Sequence, residues 1–233
     1  MPLPIIALTN VSTVVTDDQV KKAMTALQRQ VSNDFKAYWG LDAALTFVSS
    51  SAALPAGWWQ IVICDDPDQA GALGYHELSE NGDPLGKVFA KLDLQAGSSW
   101  TVTLSHELLE MLADPDINLC AEGPDGKIYA YEVCDPVEAD DLGYEIDGVL
   151  VSDFVTPKWF QPSRGQDRFD FRQKVSGSCR LAPGGYISVR GSNGTWSQID
   201  AKGNFTSRFP VGSRRFRKNT RPLGRWQFSR RVA

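Results

Sequence analysis

Apolar positions in the first forty residues predict a strand followed by a long helix. Residues 3–8 form a short apolar run of strand length. From Val20 to Phe35, apolar side chains recur at spacings of three and four, which is the period of one helical face. Thr16 and Gln19 match a capping box at the start of this helix, and Gly40 stands where its C-terminus is expected.

The next part of the chain predicts a sheet and a second helix. Four apolar segments have the length and composition of strands: residues 44–49, 58–64, 74–78 and 87–92. A turn sequence, Asn81-Gly82-Asp83-Pro84, joins the last two of them. Residues 98–113 carry Trp100 and leucines at helical spacing, and Asp114-Pro115 ends this second helix. We therefore expect an α+β fold with a mixed sheet, a scaffold helix and a second helix.

The C-terminal third of the chain has a different pattern. Residues 161–180 look like a polar connector. Three short apolar segments between residues 186 and 209 are separated by Gly-containing turns, which predicts a small antiparallel β meander. We divide the chain into an acidic α+β domain at residues 1–160, a connector with a β module at 161–212, and a basic arm at 213–233.

The composition is that of a globular protein and excludes several classes. Of the 233 residues, 42% are hydrophobic and 22% charged, so wholesale disorder is not expected. No apolar run approaches the roughly 18 residues of a membrane span. Four cysteines without a Cys-x-x-Cys pair argue against a cysteine zinc ribbon or a disulfide framework. The first residues lack a secretory-signal pattern, so we expect an intracellular protein with no membrane partner.

Charge is divided between the two parts of the chain. Residues 1–160 contain 8 Lys and Arg against 25 Asp and Glu, a net charge of −17, whereas residues 161–233 contain 16 against 3, a net charge of +13. Such asymmetry indicates charged partners. We favour protein contacts, including self-association, over nucleic acid, because no nucleic-acid-binding motif accompanies the basic residues. The basic residues of the arm are Arg214, Arg215, Arg217, Lys218, Arg221, Arg225, Arg230 and Arg231.

One segment of the second helix combines residue types that bind and use a metal ion. His106 and Glu110 are four residues apart, so their side chains lie about 6 Å apart on one helical face and can hold one ion. Glu107 is displaced by about 100° around the helix and can accept a proton from a water that the ion activates. The same logic operates in His-Glu-x-x-His metallopeptidases, with Glu110 here in place of the second histidine.

Residues 103–112 resemble the active-site helix of zincin-type metallopeptidases, and the order of the preceding elements is similar to the N-terminal half of those enzymes. The resemblance covers about residues 3–116. It implies zinc as the cofactor, His106 and Glu110 as ligands, and Glu107 as the general base in hydrolysis of a peptide or amide bond. Because Glu110 supplies a harder oxygen ligand than histidine, manganese or calcium is an alternative to zinc.

A third ligand must come from outside the helix. The carboxylates of Glu132, Asp135 and Glu138 are the first candidates, since a carboxylate downstream of the helix is the arrangement of one zincin group. Cys134, in the same segment, is another candidate. His76 is the only other histidine and lies in the predicted edge strand, which follows the substrate cleft in zincins. It is therefore a candidate ligand or a candidate substrate contact.

A second hypothesis is a non-catalytic structural subunit that uses the basic arm for assembly. The His-Glu helix, residues 132–138 and residues 151–157 also resemble segments of uncharacterised proteins of tailed bacteriophages and bacteria. That resemblance implies a virion or head–neck component, and in that case the protein would be located in the virion.

Overall fold

A five-stranded mixed sheet forms one layer of the computed structural model, which describes residues 2–68, 72–162, 167–192, 194–209 and 221–223. The strands of this sheet are β1 (Ile5–Asn10), β2 (Ala44–Phe47), β3 (Trp59–Cys64), β4 (Gly74–Leu78) and β5 (Pro84–Phe89). They lie in the order β2-β1-β3-β5-β4, and neighbours are parallel except that the edge strand β4 runs antiparallel to β5. The predicted α+β class and mixed sheet are confirmed.

The first predicted helix forms, but its hydrogen-bonding pattern changes midway. It consists of α1 (Asp17–Arg29), a π-helical segment (Gln30–Phe35) and α2 (Lys36–Trp39). The Thr16 side chain accepts the backbone N–H of Gln19, whose side chain bonds back to the Thr16 backbone. Gly40 ends the helix with a φ of 66°. This helix packs on β1 and β2 and serves as the scaffold helix.

The chain becomes helical earlier than the apolar run at 87–92 predicts. Strand β5 ends at Phe89, and α3 (Ala90–Ala96) follows directly and ends at Gly97 with a φ of 77°. The residues of this short helix are mostly strong helix formers such as alanine, leucine, lysine and glutamine. Because the apolar run continues across the junction, hydrophobicity alone did not mark the change.

The second predicted helix is α4 (Trp100–Ala113), and it is covered on several sides. It packs against β3, β4 and β5 and also contacts β9 (Val149–Val151). Every residue of α4 except two threonines is buried. A helix buried all round is normally apolar, so its buried charged residues require compensating partners. None of the described helices is long and apolar enough to cross a membrane.

A second β region follows α4. Its strands are β6 (Leu119–Glu122), β7 (Ile128–Ala130), β8 (Tyr144–Ile146), β9, β10 (Tyr186–Arg190), β11 (Trp196–Asp200), β12 (Phe205–Phe209) and β13 (Arg221–Leu223). The predicted meander of β10, β11 and β12 is antiparallel as expected. Its sheet continues through β7 and β6 to β13, while β8 and β9 form a separate hairpin. Short 3-10 turns occupy Asp135–Val137, Asp140–Leu142 and Pro157–Phe160.

The segment predicted as a polar connector contributes to the core. Phe169, Asp170 and Val175 are buried, and the ring of Phe171 stacks on that of Phe154 with 5.2 Å between centroids. Apolar residues are few and irregularly spaced between positions 161 and 180, so no period in the sequence marked them as buried.

Candidate metal centre

Helix α4 brings His106 and Glu110 together in a buried position. The two residues lie one turn apart, and His106 Nε2 is 3.3 Å from Glu110 Oε2. The preceding residue, Ser105, is also buried and donates its hydroxyl to Gln30 Oε1 at 2.7 Å. This bond ties the start of the motif to the scaffold helix, so the face that carries His106 and Glu110 is held in one orientation.

Asp135 reaches the same place from the segment after β7. The other oxygen of Glu110, Oε1, accepts the backbone N–H groups of Cys134 at 3.1 Å and Asp135 at 3.3 Å. These bonds hold the segment against α4 and bring Asp135 Oδ1 to 3.3 Å from His106 Nε2. His106, Glu110 and Asp135 are all buried, and their ligand atoms lie within 4.8 Å of one another.

His76 enters from the edge strand β4, with its side chain turned toward α4. Its Nδ1 lies 3.3 Å from Glu107 Oε2 and 3.7 Å from Glu110 Oε2, and its Nε2 lies 3.7 Å from Glu132 Oε2. His76, Glu110 and Glu132 form a second group whose ligand atoms lie within 4.8 Å of one another. We call these residues together the His/carboxylate cluster: His76, His106, Glu107, Glu110, Glu132 and Asp135.

The spacing within the cluster matches ligands around an ion. Charge-assisted N–H···O bonds are about 2.7–2.9 Å long, whereas the nitrogen–oxygen separations within the two ligand groups are 3.3–3.7 Å. Two atoms about 2.1 Å from one ion at a tetrahedral angle are about 3.4 Å apart. Imidazole nitrogen and carboxylate oxygen are both common ligands of divalent transition metals. The cluster could therefore hold a metal ion.

The electrostatics of the cluster favour positive charge. Burial lowers the pKa of His76, but its hydrogen bond with Glu107 and the charges of Glu132 and Glu110 outweigh burial and raise it to about 9. For His106, burial likewise lowers the pKa, and Glu110 and Asp135 raise it well above its usual value. Burial raises the pKa of Glu110 to about 8, with Asp135 and Glu132 adding to the effect. The cluster thus retains protons, which a divalent cation can replace.

A cleft opens beside the cluster. It has a volume of 470 Å³ and is lined on one side by Gly74 of β4 and by Thr103, His106 and Glu107 of α4. Other lining residues come from segments that follow α4 in the chain, including Glu138, Asp140, Tyr186 and Gln198. Of the six residues of the cluster, His106 and Glu107 therefore face the cleft.

Comparisons with known proteins do not extend this picture. No family model, no curated protein and no solved structure matches the chain. The function has to be argued from the geometry of the cluster and the cleft.

The structure brings together most of the candidate residues named from the sequence. All six residues of the His/carboxylate cluster were candidates, and they converge from β4, α4 and the segment after β7. Glu138 lines the cleft, and Cys134 contributes its backbone N–H to Glu110. The His76 side chain is buried among carboxylates and does not line the cleft. This geometry favours the interpretation of His76 as a ligand over that of a substrate contact.

Most of the basic arm lies outside the described residues. Arg221 begins the short strand β13, which pairs with β6. The other seven basic residues of the arm fall outside the described part of the chain: Arg214, Arg215, Arg217, Lys218, Arg225, Arg230 and Arg231.

Two further residues shape the site and were not identified from the sequence. A Cβ at Gly74 would lie 2.7 Å from Thr103 Cγ2 and 2.9 Å from Glu107 Oε1, so glycine allows β4 to approach α4. Thr103 donates its hydroxyl to the buried carboxylate of Asp93 at 2.9 Å. Only their spacing in the sequence could have identified them. Gly74 is two residues before His76 and so shares its face of the strand, and Thr103 is four residues before Glu107 and so shares its face of the helix.

Proposed function

We propose that this protein is a metal-dependent hydrolase of peptide or amide bonds. The supporting observation is that His106, Glu110 and Asp135 converge in a buried group beside a 470 Å³ cleft that Glu107 also lines. A ligand group, a neighbouring carboxylate and an accessible cleft are the parts that metal-assisted hydrolysis requires. The edge strand β4 runs antiparallel to β5 and packs against α4. This arrangement agrees with the resemblance to zincins drawn from the sequence.

The roles of the side chains follow from their positions. A divalent ion held by His106, Glu110 and Asp135 would acidify a water molecule and polarise a substrate carbonyl. Glu107 faces the cleft beside His106 and accepts the proton of the attacking water as general base. His76 Nδ1, 3.3 Å from Glu107 Oε2, holds that carboxylate in place. One nitrogen and two carboxylates suit zinc or manganese.

The test combines metal content with hydrolysis of a peptide library. Protein purified without chelator should contain zinc or manganese by elemental mass spectrometry, and His106→Ala and Asp135→Ala should each lower that content. Glu107→Gln should keep the metal but lose at least about 100-fold in hydrolysis rate, since the general base is removed. Glu145→Gln, at an exposed position, is the matched control for loss of a carboxylate. A wild type without metal, or hydrolysis unchanged in Glu107→Gln, would contradict the proposal.

A role in assembly is a second proposal, favoured by the division of charge along the chain. The net charges of −17 at residues 1–160 and +13 at residues 161–233 are complementary, so the basic arm can bind an acidic surface of another copy or of a partner protein. The phage-protein resemblance is consistent with such a structural subunit. The two roles are compatible, and a metal-loaded protein that hydrolyses no peptide would leave assembly as the favoured one.

A further inference from the structure

We propose that the His/carboxylate cluster holds two divalent cations that share Glu110 as a bridging ligand, with the second ion bound by His76, Glu110 and Glu132. This inference builds on the first ion site of the proposed function. The cluster contains two ligand groups, His106–Glu110–Asp135 and His76–Glu110–Glu132, and Glu110 is their common member.

Glu110 stands between the two imidazoles. Its Oε2 atom lies 3.3 Å from His106 Nε2 and 3.7 Å from His76 Nδ1, while Oε1 is fixed by the backbone N–H groups of Cys134 and Asp135. The carboxylate is thus held rigidly with one oxygen at the junction of both groups. A carboxylate oxygen there can contact two ions, whereas the single lone pair of an imidazole nitrogen binds only one. This provides a physical reason for glutamate in place of the second histidine of the His-Glu-x-x-His pattern.

His76 presents an available ligand atom to the second position. Its side chain is only 7% exposed, and Nε2 has no hydrogen-bond partner among the described residues. His76 Nδ1 lies 3.3 Å from Glu107 Oε2, and in the tautomer that donates this N–H the lone pair is on Nε2, 3.7 Å from Glu132 Oε2. A histidine that donates one N–H to a carboxylate and offers its other nitrogen to an ion is the usual arrangement at metal sites.

The charge of the cluster supports two ions. Among the described residues it contains four largely buried carboxylates, those of Glu107, Glu110, Glu132 and Asp135. Two divalent cations with neutral imidazoles balance four ionised carboxylates, whereas a single ion and a protonated His76 leave a net negative charge in a buried place, which is costly. Pairs of ions about 3.5–4 Å apart are a recurrent hydrolytic design, in which both ions stabilise the oxygens of the reacting group.

The pair of ions would also connect His76 to catalysis. His76 would bind the second ion through Nε2 and hold Glu107, the proposed base, through Nδ1. Loss of the second ion would therefore remove a positive charge close to the Glu107 carboxylate. The substrate class is unchanged from the proposed function, peptides or amides, and the cofactor is a pair of zinc or manganese ions.

The deciding experiment is the metal stoichiometry of the full-length protein, reconstituted with Mn²⁺ and freed of unbound metal. We expect two ions per wild-type chain and one in each of His76→Ala, Glu132→Gln and Asp135→Asn. Glu132→Gln preserves size and covers the case that His76→Ala fails to fold. Electron paramagnetic resonance should show exchange coupling between the ions in the wild type and the spectrum of an isolated Mn²⁺ in the variants. Glu145→Gln should keep both ions and the coupling.

The outcomes separate this inference from the proposed function. One ion in the wild type that is lost in Asp135→Asn and kept in Glu132→Gln would overturn the second site and leave the hydrolase proposal standing. Two ions retained in both His76→Ala and Glu132→Gln would also overturn it. No bound ion in the wild type would overturn both proposals together.

Discussion

The two carboxylate oxygens of Glu110 have different partners and serve different purposes, one in the fold and one in the candidate site. Oε1 accepts backbone N–H groups from Cys134 and Asp135, and Oε2 lies between His76 and His106. The same side chain therefore positions the segment that carries Asp135 and offers an oxygen to a cation. Substitution of Glu110 would disturb the fold and the metal site together. A substitution at Asp135 is therefore the better test of metal binding.

Asp153 is a buried carboxyl outside the His/carboxylate cluster, and its environment predicts a pH dependence of stability. Its Oδ1 accepts the backbone N–H groups of Phe154 and Arg172. Burial, followed by the neighbouring Asp170, raises the pKa of Asp153 to about 8. In the unfolded chain an aspartate pKa is about 3.9, so between these values the folded state binds the extra proton. The contribution of Asp153 to stability is therefore present below about pH 4 and is lost as pH rises toward 8.

Asp153→Asn should remove this pH dependence, because its amide imitates the protonated carboxyl. We expect the wild type to lose stability relative to the variant by up to about 1.4 kcal/mol per pH unit between pH 5 and 8. Urea unfolding at several pH values measures the difference. Asp141→Asn, at an exposed position, should follow the wild type. Parallel pH profiles for the wild type and Asp153→Asn would show that Asp153 is ionised in the folded protein.

At the scale of elements, the side chain of Gln30 links the scaffold helix to α4. Gln30 begins the π-helical segment and is fully buried. Its Nε2 donates to the backbone carbonyl of Ser152 at 2.9 Å, and its Oε1 accepts the Ser105 hydroxyl at 2.7 Å. The Ser105 oxygen in turn accepts the backbone N–H of Ser152 at 3.1 Å. This network links three chain segments immediately beside His106.

Gln30→Ala should destabilise the protein and loosen this junction. The variant leaves the Ser105 hydroxyl and the Ser152 carbonyl buried without their partner, which costs about 2–4 kcal/mol. The change can be measured from urea unfolding curves, with Lys22→Ala on the exposed face of the same helix as control. A loss of stability no greater than that of Lys22→Ala would mean that water replaces the Gln30 amide.

At the scale of the whole molecule, charge is separated along the chain rather than mixed. The residues up to position 160 carry a net charge of −17, and the basic arm carries none of the acidic residues. Electrostatic attraction between exposed charges extends only about 8–10 Å at physiological ionic strength. Contacts through the arm should therefore weaken steeply as salt concentration rises.

Neutralising part of the arm tests its role in self-association. We expect the wild type to form larger species at low salt and to dissociate at high salt, as measured by size-exclusion chromatography with light scattering. A variant with Arg214, Arg215, Arg217 and Lys218 changed to glutamine should remain monomeric at both salt concentrations, because the attraction is removed. A wild type that is monomeric at every salt and protein concentration would rule out self-association through the arm.

The sequence by itself determined the elements whose signals are local. The capping box at Thr16, the glycine at position 40 and the three-four spacing between them predict the scaffold helix, since these contacts occur within one or two helical turns. The same periodicity places His106 and Glu110 on one face of α4. Local patterns did not reveal the π-helical segment or the burial of the connector, because packing between distant segments decides these features. The start of α3 at Ala90 was hidden by an apolar run that continues across the junction.

Only the tertiary structure decided how the candidate ligands are grouped. The sequence left Glu132, Asp135, Glu138, Cys134 and His76 open as ligands. The fold places Asp135 beside His106, Glu132 beside His76 and Glu110 within both groups. This grouping depends on the register of β4 against β5 and on the bonds from Glu110 Oε1 to the backbone after β7. The bonds of Glu110 reach residues 24 and 25 positions further along the chain, and no local pattern encodes them.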